Sequence, residues 1–391
     1  VLEKPEPEEA DEEVDHPVGD GEACPACGCD DFFFTGGYEE KYEIDIEVKA
    51  IKRLHKFWLY QCRNCGQIVR TGTAPSLRAG CQYGANLQAL SLSLMNTTNA
   101  AINKVPLLIS GLTDGEVCPS EGYIAKLQPR AAKGLDQFRE DLFRFLITRP
   151  ILYWDDTVVM ADKSRICLRF YGDETAAYYV AHDKKDMDSI LADGILEALT
   201  ETTRVMHGHN SINYSRKFVF MNLECNAHLQ RDLQKSADET GHKVLLEIKQ
   251  LISETIKDRN DRIRSGDESF GEAHIENFNK KMTELLEKAE REAEANDSVY
   301  SGPFERALIA RMINYRENFF AWVEDFTLPT TNNLSERALR GVKTKMKVSG
   351  QFASAGTADN YAAIRTYIET CRRNGINEMA ALTRLCNGNP Y

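Results

Sequence analysis

The 391-residue sequence contains no apolar run long enough to cross a bilayer and no secretory leader, so neither a membrane-spanning nor an exported protein is expected. It also lacks a positive balance. The formal net charge is −12, which taken alone argues against a nucleic-acid partner. Cysteine is not scarce, at eleven, but the count is odd and nothing points to an oxidising compartment, so a disulfide framework is not read from it and the cytosol is the expected location. The first residue is not Met and lies inside an acidic stretch, which leaves open what precedes it.

The charge deficit is local. Residues 1–22 hold ten Asp or Glu against Lys4 alone, a balance of −9 that leaves −3 for everything else. This stretch is rich in Glu and Pro, poor in large apolar residues, and expected to be disordered. The remainder has the 42% hydrophobic content of a globular chain and is long enough for two or three cores. Clusters of basic residues therefore matter more than the sum.

The most informative cluster is Asn332-Asn333-Leu334-Ser335-Glu336-Arg337-Ala338-Leu339-Arg340-Gly341-Val342-Lys343-Thr344-Lys345-Met346-Lys347. One carboxylate, Glu336, stands among Arg337, Arg340, Lys343, Lys345 and Lys347, a balance suited to holding a metal ion beside a phosphodiester backbone. An isolated run of this kind also reads as a solvated helix face. A second segment, Ile151 to Val159, favours the first reading, because Asp155 and Asp156 interrupt a strand-like run there. Buried carboxylates are costly unless paired, hydrogen-bonded or bound to metal. Adjacent strand residues face opposite ways, so only one of the two can point into a site.

Cys24-Pro25-Ala26-Cys27-Gly28 and Cys62-Arg63-Asn64-Cys65-Gly66 are two C-x-x-C-G knuckles. Two thiolates on one tight turn can meet one zinc ion, and the glycine permits the turn's positive dihedral. Four thiolates would leave no open position, so a ribbon over 23–75 is expected to be structural. Between the knuckles Tyr42, Ile44, Ile46 and Val48 alternate with charged residues ahead of Phe57-Trp58-Leu59-Tyr60, the pattern of a hairpin. Cys29, Cys81, Cys118, Cys167, Cys371 and Cys386 have no partner at ligand spacing and read as core or incidental.

From 76 to 147 the pattern is helical (Leu87, Leu90, Leu94, then Leu107, Leu108, Leu112), fitting either a DNA-binding helix-turn-helix or any small bundle. Strand-like runs then cover Ile151 to Met160, Arg165 to Tyr171, Ala176 to Ala181, Arg204 to Met206 and Lys217 to Met221, with a helical pattern over Met187 to Leu199. This is the order of a ribonuclease H-like mixed sheet in an α/β (α+β, multidomain) chain. Its first part is expected over 148–235 and its second over 312–372, with residues 373–391 as a C-terminal tail. Between the two parts, residues 236–311 show two long amphipathic helices dense in Glu and Lys, a helical insertion.

These landmarks resemble the transposases of the insertion sequence 66 family from roughly Asp15 to Pro390. The resemblance is carried by the knuckles, Asp155-Asp156-Thr157, Glu224-Cys225-Asn226-Ala227-His228-Leu229-Gln230-Arg231-Asp232-Leu233, Asn332 to Arg337, Lys347 to Phe352 and Tyr367 to Thr370. It implies a DDE nuclease and strand transferase in which carboxylates hold two magnesium ions about 4 Å apart. Asp155 would be the first metal-binding aspartate and Glu336 the catalytic glutamate. Cys225 and His228 would support them, and Arg337 and Arg340, with the lysines beyond, would lie near DNA phosphates. The resemblance further implies terminal inverted repeats and target DNA as partners, a homo-oligomer on DNA, helper proteins of the same element, and a bacterial, nucleoid-associated location.

One position departs from the family. The second aspartate belongs in Val205-Met206-His207-Gly208-His209-Asn210, and this chain has Gly208. Glycine offers magnesium no side-chain oxygen, His207 and His209 are poor magnesium ligands, and Glu224 is the one substitute at hand. Two hypotheses follow: a transposase impaired at Gly208, and a catalytically inactive DNA-binding protein of transposase descent. A third, a zinc protein unrelated to DNA, is disfavoured by the basic segment behind Glu336.

Overall fold

The computed structural model describes residues 10–19, 21–70, 77 and 80–391, and its backbone contacts divide the chain into two units, 1–53 and 54–391. The unit boundary falls between the two knuckles. The described residues of the first unit form neither helix nor strand. The alternating run expected as a hairpin is among them: Ile44, Ile46 and Val48 are exposed. Alternation specifies a strand where one face has a surface to cover, and the apolar side chains of Ile44, Ile46 and Val48 stay exposed.

The second unit opens with a short antiparallel hairpin, β1 (Leu59–Gln61) and β2 (Ile68–Arg70), around the second knuckle. Five helices follow: α1 (Ala85–Asn96), α2 (Lys104–Leu112), α3 (Glu121–Ala125), α4 (Leu127–Lys133) and α5 (Asp136–Leu146). The mixed sheet comprises β3 (Ile151–Ala161), β4 (Ser164–Gly172), β5 (Ala177–His182), β6 (Arg204–His207) and β7 (Met221–Glu224) in the order β5-β4-β3-β6-β7. β3, β4 and β5 are antiparallel, whereas β6 and β7 run parallel to β3. The β3–β4 turn is the two-residue Asp162-Lys163, both with positive φ (43° and 64°), the conformation that continues the twist of a hairpin. Helix α6 (Met187–Asp193) starts in a capping box at Asp186 and is stopped by left-handed Gly194, so it ends six residues short of the expected Leu199.

β7 starts where the expected fifth strand ends. Phe218 and Phe220 stack on each other and enter the core instead of the ladder. A single 3-10 turn, Ser211–Tyr214, stands between β6 and β7. Next come α7 (Asn226–Thr240), α8 (Lys243–Arg264), α9 (Glu272–Glu294), α10 (Gly302–Asn314), α11 (Arg316–Phe320), α12 (Asn333–Val348), α13 (Ala355–Arg373) and α14 (Glu378–Cys386). Residues 373–391, expected as a tail, thus contain a helix, because Ala381, Leu382 and Leu385 complete the core that α1 to α4 share with α13. The segment 76–147 is accordingly not a core of its own.

Side-chain alternation separates the sheet's two faces. Leu152, Trp154, Tyr171 and Val205 pack under α5 and α6. On the other face Val159, Leu168 and Tyr179 pack under α12 and α13, while Met206 and Leu223 join the core of α7 to α11. Tyr153 touches both of these last cores, so α7 and α12 lie side by side over one face.

Gly341, in the middle of α12, has a packing reason. A Cβ there would overlap Arg365 Nη2 and lie 2.8 Å from Cζ, and that buried guanidinium is held by Asn96 O at 3.0 Å and Glu369 at 2.9 Å. Helix propensity alone would make Gly341→Ala stabilising by about 1 kcal/mol. Overpacking should win, and urea denaturation should show a net loss of about 1–3 kcal/mol.

Candidate active site

Three elements meet over this face: the middle of β3, the N-terminus of α7 and the first turn of α12. The joint between them is Asn332, fully buried. Its side-chain Nδ2 donates to Trp154 O at 3.0 Å on β3, and its backbone N–H donates to Cys225 Sγ at 3.1 Å, at the cap of α7. The neighbouring backbone adds Asn226 N–H to Thr330 O at 3.0 Å. Glu336 N–H then donates to Asn332 O at 3.1 Å, opening α12 with Glu336 in its first turn.

The two strand aspartates part ways. Asp156 ion-pairs with Lys185 Nζ at 2.6 Å and lies 3.7 Å from Cys167 Sγ. Asp155 shares the face of Tyr153, towards α7 and α12, and its Oδ1 accepts the Asp156 N–H at 2.8 Å. Burial, followed by the negative charges of Asp156 and Glu336, pushes the Asp155 carboxyl up to about 6. A buried carboxyl raised by neighbouring negative charge is an arrangement that a cation relieves. Within the chain, the cation on Glu336 is Arg231, whose Nη2 donates to Oε1 at 2.9 Å, with His228 Nε2 at 3.6 Å.

Gly208, one residue beyond β6, lies beside these groups. A Cβ at that position would be 3.6 Å from His228 Cε1 and 3.8 Å from Nε2, ordinary contact, and the backbone is not in the left-handed region. A side chain is therefore accommodated there and would be directed at the imidazole next to Glu336. His207 has both ring nitrogens occupied, by Gly208 O at 2.9 Å and Asn222 Oδ1 at 2.7 Å. Glu224 is adjacent to Leu223 and so leaves the opposite face of β7; its Oε1 accepts from His209 Nδ1 at 2.8 Å and Tyr214 Oη at 2.7 Å. Burial raises its carboxyl, but those hydrogen bonds and the charge of His207 outweigh it and hold it below the usual range. Its Oε1 is engaged and its Oε2 is buried without a partner on the face turned from Asp155, which argues against it as a substitute for a carboxylate at position 208.

Cys225 and His228, one helical turn apart, come together with Glu336: one ligand atom from each lies within 4.8 Å of the others. Burial pushes the Cys225 thiol up, and burial with the Arg231 charge keeps His228 below its usual value. Beyond Glu336, Arg340, Lys343 and Lys347 recur at four-, three- and four-residue steps, forming one exposed ridge along α12, with Arg337 exposed beside it. Lys345 is the exception. It is half-buried, 4.3 Å from the Phe352 ring centroid, with Nζ 3.0 Å from Ser349 Oγ. Its role is inside the chain.

Each knuckle adopts the expected turn. Gly28 N–H donates to Cys24 O at 2.8 Å with φ 75°, and Gly66 N–H donates to Cys62 O at 2.9 Å with φ 74°. The amides of Ala26 and Cys27 lower the Cys24 thiol, and those of Cys65 and Asn64 lower Cys62.

Sequence reasoning gave no role to Asn332 or Arg231, although both stood in the quoted strings. Arg231 falls three residues after His228, on the same helix face, which was the available signal. Asn332 had none, because a buried asparagine's partners are distant in sequence. Comparison with known proteins gives one family model, Transposase IS66 family, matching residues 83–360. No curated protein matches the chain.

The raised Asp155 carboxyl fixes a sign. The folded chain holds that proton more tightly than the unfolded one, so stability falls as pH rises from the ordinary 3.8 to about 6 and stays reduced above it. Asp155→Asn should raise the unfolding free energy by on the order of 3 kcal/mol at pH 8 and leave it unchanged at the acidic end, as measured by urea titration.

Proposed function

As the chain belongs to the IS66 family of transposases, we propose that its frame is that of a DNA transposase: a DDE site on a ribonuclease H-like sheet that cleaves 3' ends and joins them to target DNA. We further propose that turnover by this chain is impaired because Gly208 occupies the second acidic position. The observation that carries this reading is the convergence of Asp155 and Glu336 on one face, with Gly208 against His228, the neighbour of Glu336. The strand order β5-β4-β3-β6-β7, with the first aspartate on the central strand, supports the same assignment.

Asp155 and Glu336 suit a hard, oxygen-ligated divalent ion such as magnesium, which when bound supplies charge for the scissile phosphate and a more acidic attacking hydroxyl. Two carboxylates fit one such ion better than a pair. Arg231 neutralises Glu336 within the protein and is mostly exposed, so it can turn towards a phosphate once the carboxylate has another partner. The ridge of Arg340, Lys343 and Lys347, with Arg337, tracks a backbone leading to the site. The knuckles are proposed to share a structural zinc, and the DNA to be bound by an oligomer that brings two ends together, with helper proteins of the element. The alternative, a non-catalytic DNA-binding protein, rests on Gly208 itself.

Nicking and strand transfer on DNA bearing the element's terminal repeats, with magnesium and then manganese, separates the two. Gly208→Asp should cut and this chain should not, since losing one carboxylate removes the shared ligand of the ions. Equal cutting by both would sink the assignment of Gly208 as the lesion. DNA affinity should fall with salt, and Arg340→Ala or Lys343→Ala should each flatten the log–log slope by about 0.9. Lys345→Ala should leave the slope unchanged.

A further inference from the structure

We propose that Cys225, His228 and Glu336 form a binding site for a divalent ion of the zinc class, distinct in ligand chemistry from the carboxylate pair but sharing Glu336 with it. The three ligand atoms lie within 4.8 Å of one another, and His228 Nε2 is 3.6 Å from Glu336 Oε1. Around a tetrahedral ion with bonds of about 2.0–2.3 Å, ligand atoms stand roughly 3.3–3.8 Å apart, so the group needs only a small contraction. Cys225 caps α7 and His228 sits in its first turn, which puts both on the side facing α12.

The sulfur is already cradled as a ligand. It accepts the Asn332 N–H at 3.1 Å and lies in reach of the amides of Ala227 and His228. The first cysteine of each knuckle is held the same way, by amides two and three residues on. The imidazole is unclaimed: His228 Nδ1 is buried without a hydrogen-bond partner, so the ring can turn to offer either nitrogen. Ser335 Oγ, next to Glu336 in sequence, and Asn332 Oδ1, four residues before it, are likewise buried without a hydrogen-bond partner.

Gly208 gives the site its open side. An aspartate there would meet the His228 ring and compete for it, whereas glycine leaves that flank for a water as fourth ligand. One sulfur, one nitrogen and one carboxylate oxygen select zinc or cobalt over magnesium. Arg231 is 61% exposed and can be displaced from Glu336 into solvent. An ion held here draws Glu336 into its own coordination sphere, so zinc and magnesium loading exclude one another. The site does not require the transposase reading, and its test uses no DNA.

The full chain, stripped with chelator and reloaded with cobalt(II), is compared with Cys225→Ser and His228→Asn by metal analysis and visible absorption. Each variant should lose about one equivalent of cobalt and the bands of a mixed sulfur, nitrogen and oxygen site, while keeping the all-sulfur bands of the knuckles. Glu336→Gln, which leaves the core untouched, should weaken cobalt binding at the same site, and excess magnesium should not displace the ion. Equal cobalt content with superimposable spectra in the folded variants would overturn the proposal. So would displacement by magnesium, which would assign the ion to the carboxylates.

Discussion

The arrangement of the site depends on one buried amide. Asn332 joins β3 to the entry of α12 across 178 residues and α12 to the cap of α7 across 107. Each such bond contributes only about 1 kcal/mol net, but a buried amide left without a partner costs about 1–3 kcal/mol. The position therefore tolerates few alternatives. Because Glu336 lies four residues further on, in the first turn of α12, a shift of this joint by one residue would turn the carboxylate away from Asp155.

The long helical segment between the two parts of the sheet domain contributes to that joint as well. α8 and α9 contribute Ile248, Ile252, Phe278 and Met282 to the core they share with α7 and the sheet's Met206 and Leu223, closed by Trp322 and Phe326 from the returning chain. Arg259, near the end of α8, is buried and donates to the carbonyls of Phe326 and Leu328. Those carbonyls belong to the stretch that runs into Asn332. The insertion thus lengthens the sequence between Asp155 and Glu336 while fixing the path by which the chain returns, and its packing restrains the glutamate's approach.

Much of this was legible in the sequence because it is local. The β3 and β4 runs end within a residue or two of the observed strands, since alternation and a two-residue turn determine them together. Glu336 and the Asp155-Asp156 pair stood out by residue type and setting, whereas Cys225 and His228 entered through the family resemblance. What escaped depended on distant partners. Lys217 to Phe220 looked like strand but is claimed by ring stacking, and Ile44, Ile46 and Val48 alternate yet stay exposed. Lys345 looked like its basic neighbours until Phe352 was folded against it. The choice between Asp155 and Asp156 needed Lys185, and the status of Glu224 needed His209 and Tyr214.

The docking of α14 against α1 has a consequence for the chain's synthesis. The helices of residues 85–133 bury their apolar faces on Ile364, Tyr367, Ile368, Leu382 and Leu385. Until those residues emerge from the ribosome, the early helices have no core to join and must wait with Leu92, Ile109 and Ile124 uncovered. The sheet gains α13 equally late. A copy cut short before α13 would therefore not yield a slightly weaker protein; helices α1 to α4 and strands β3 to β5 would each lose the α13 surface they pack on. Losing α13 and α14 alone is closer to deletion than to trimming.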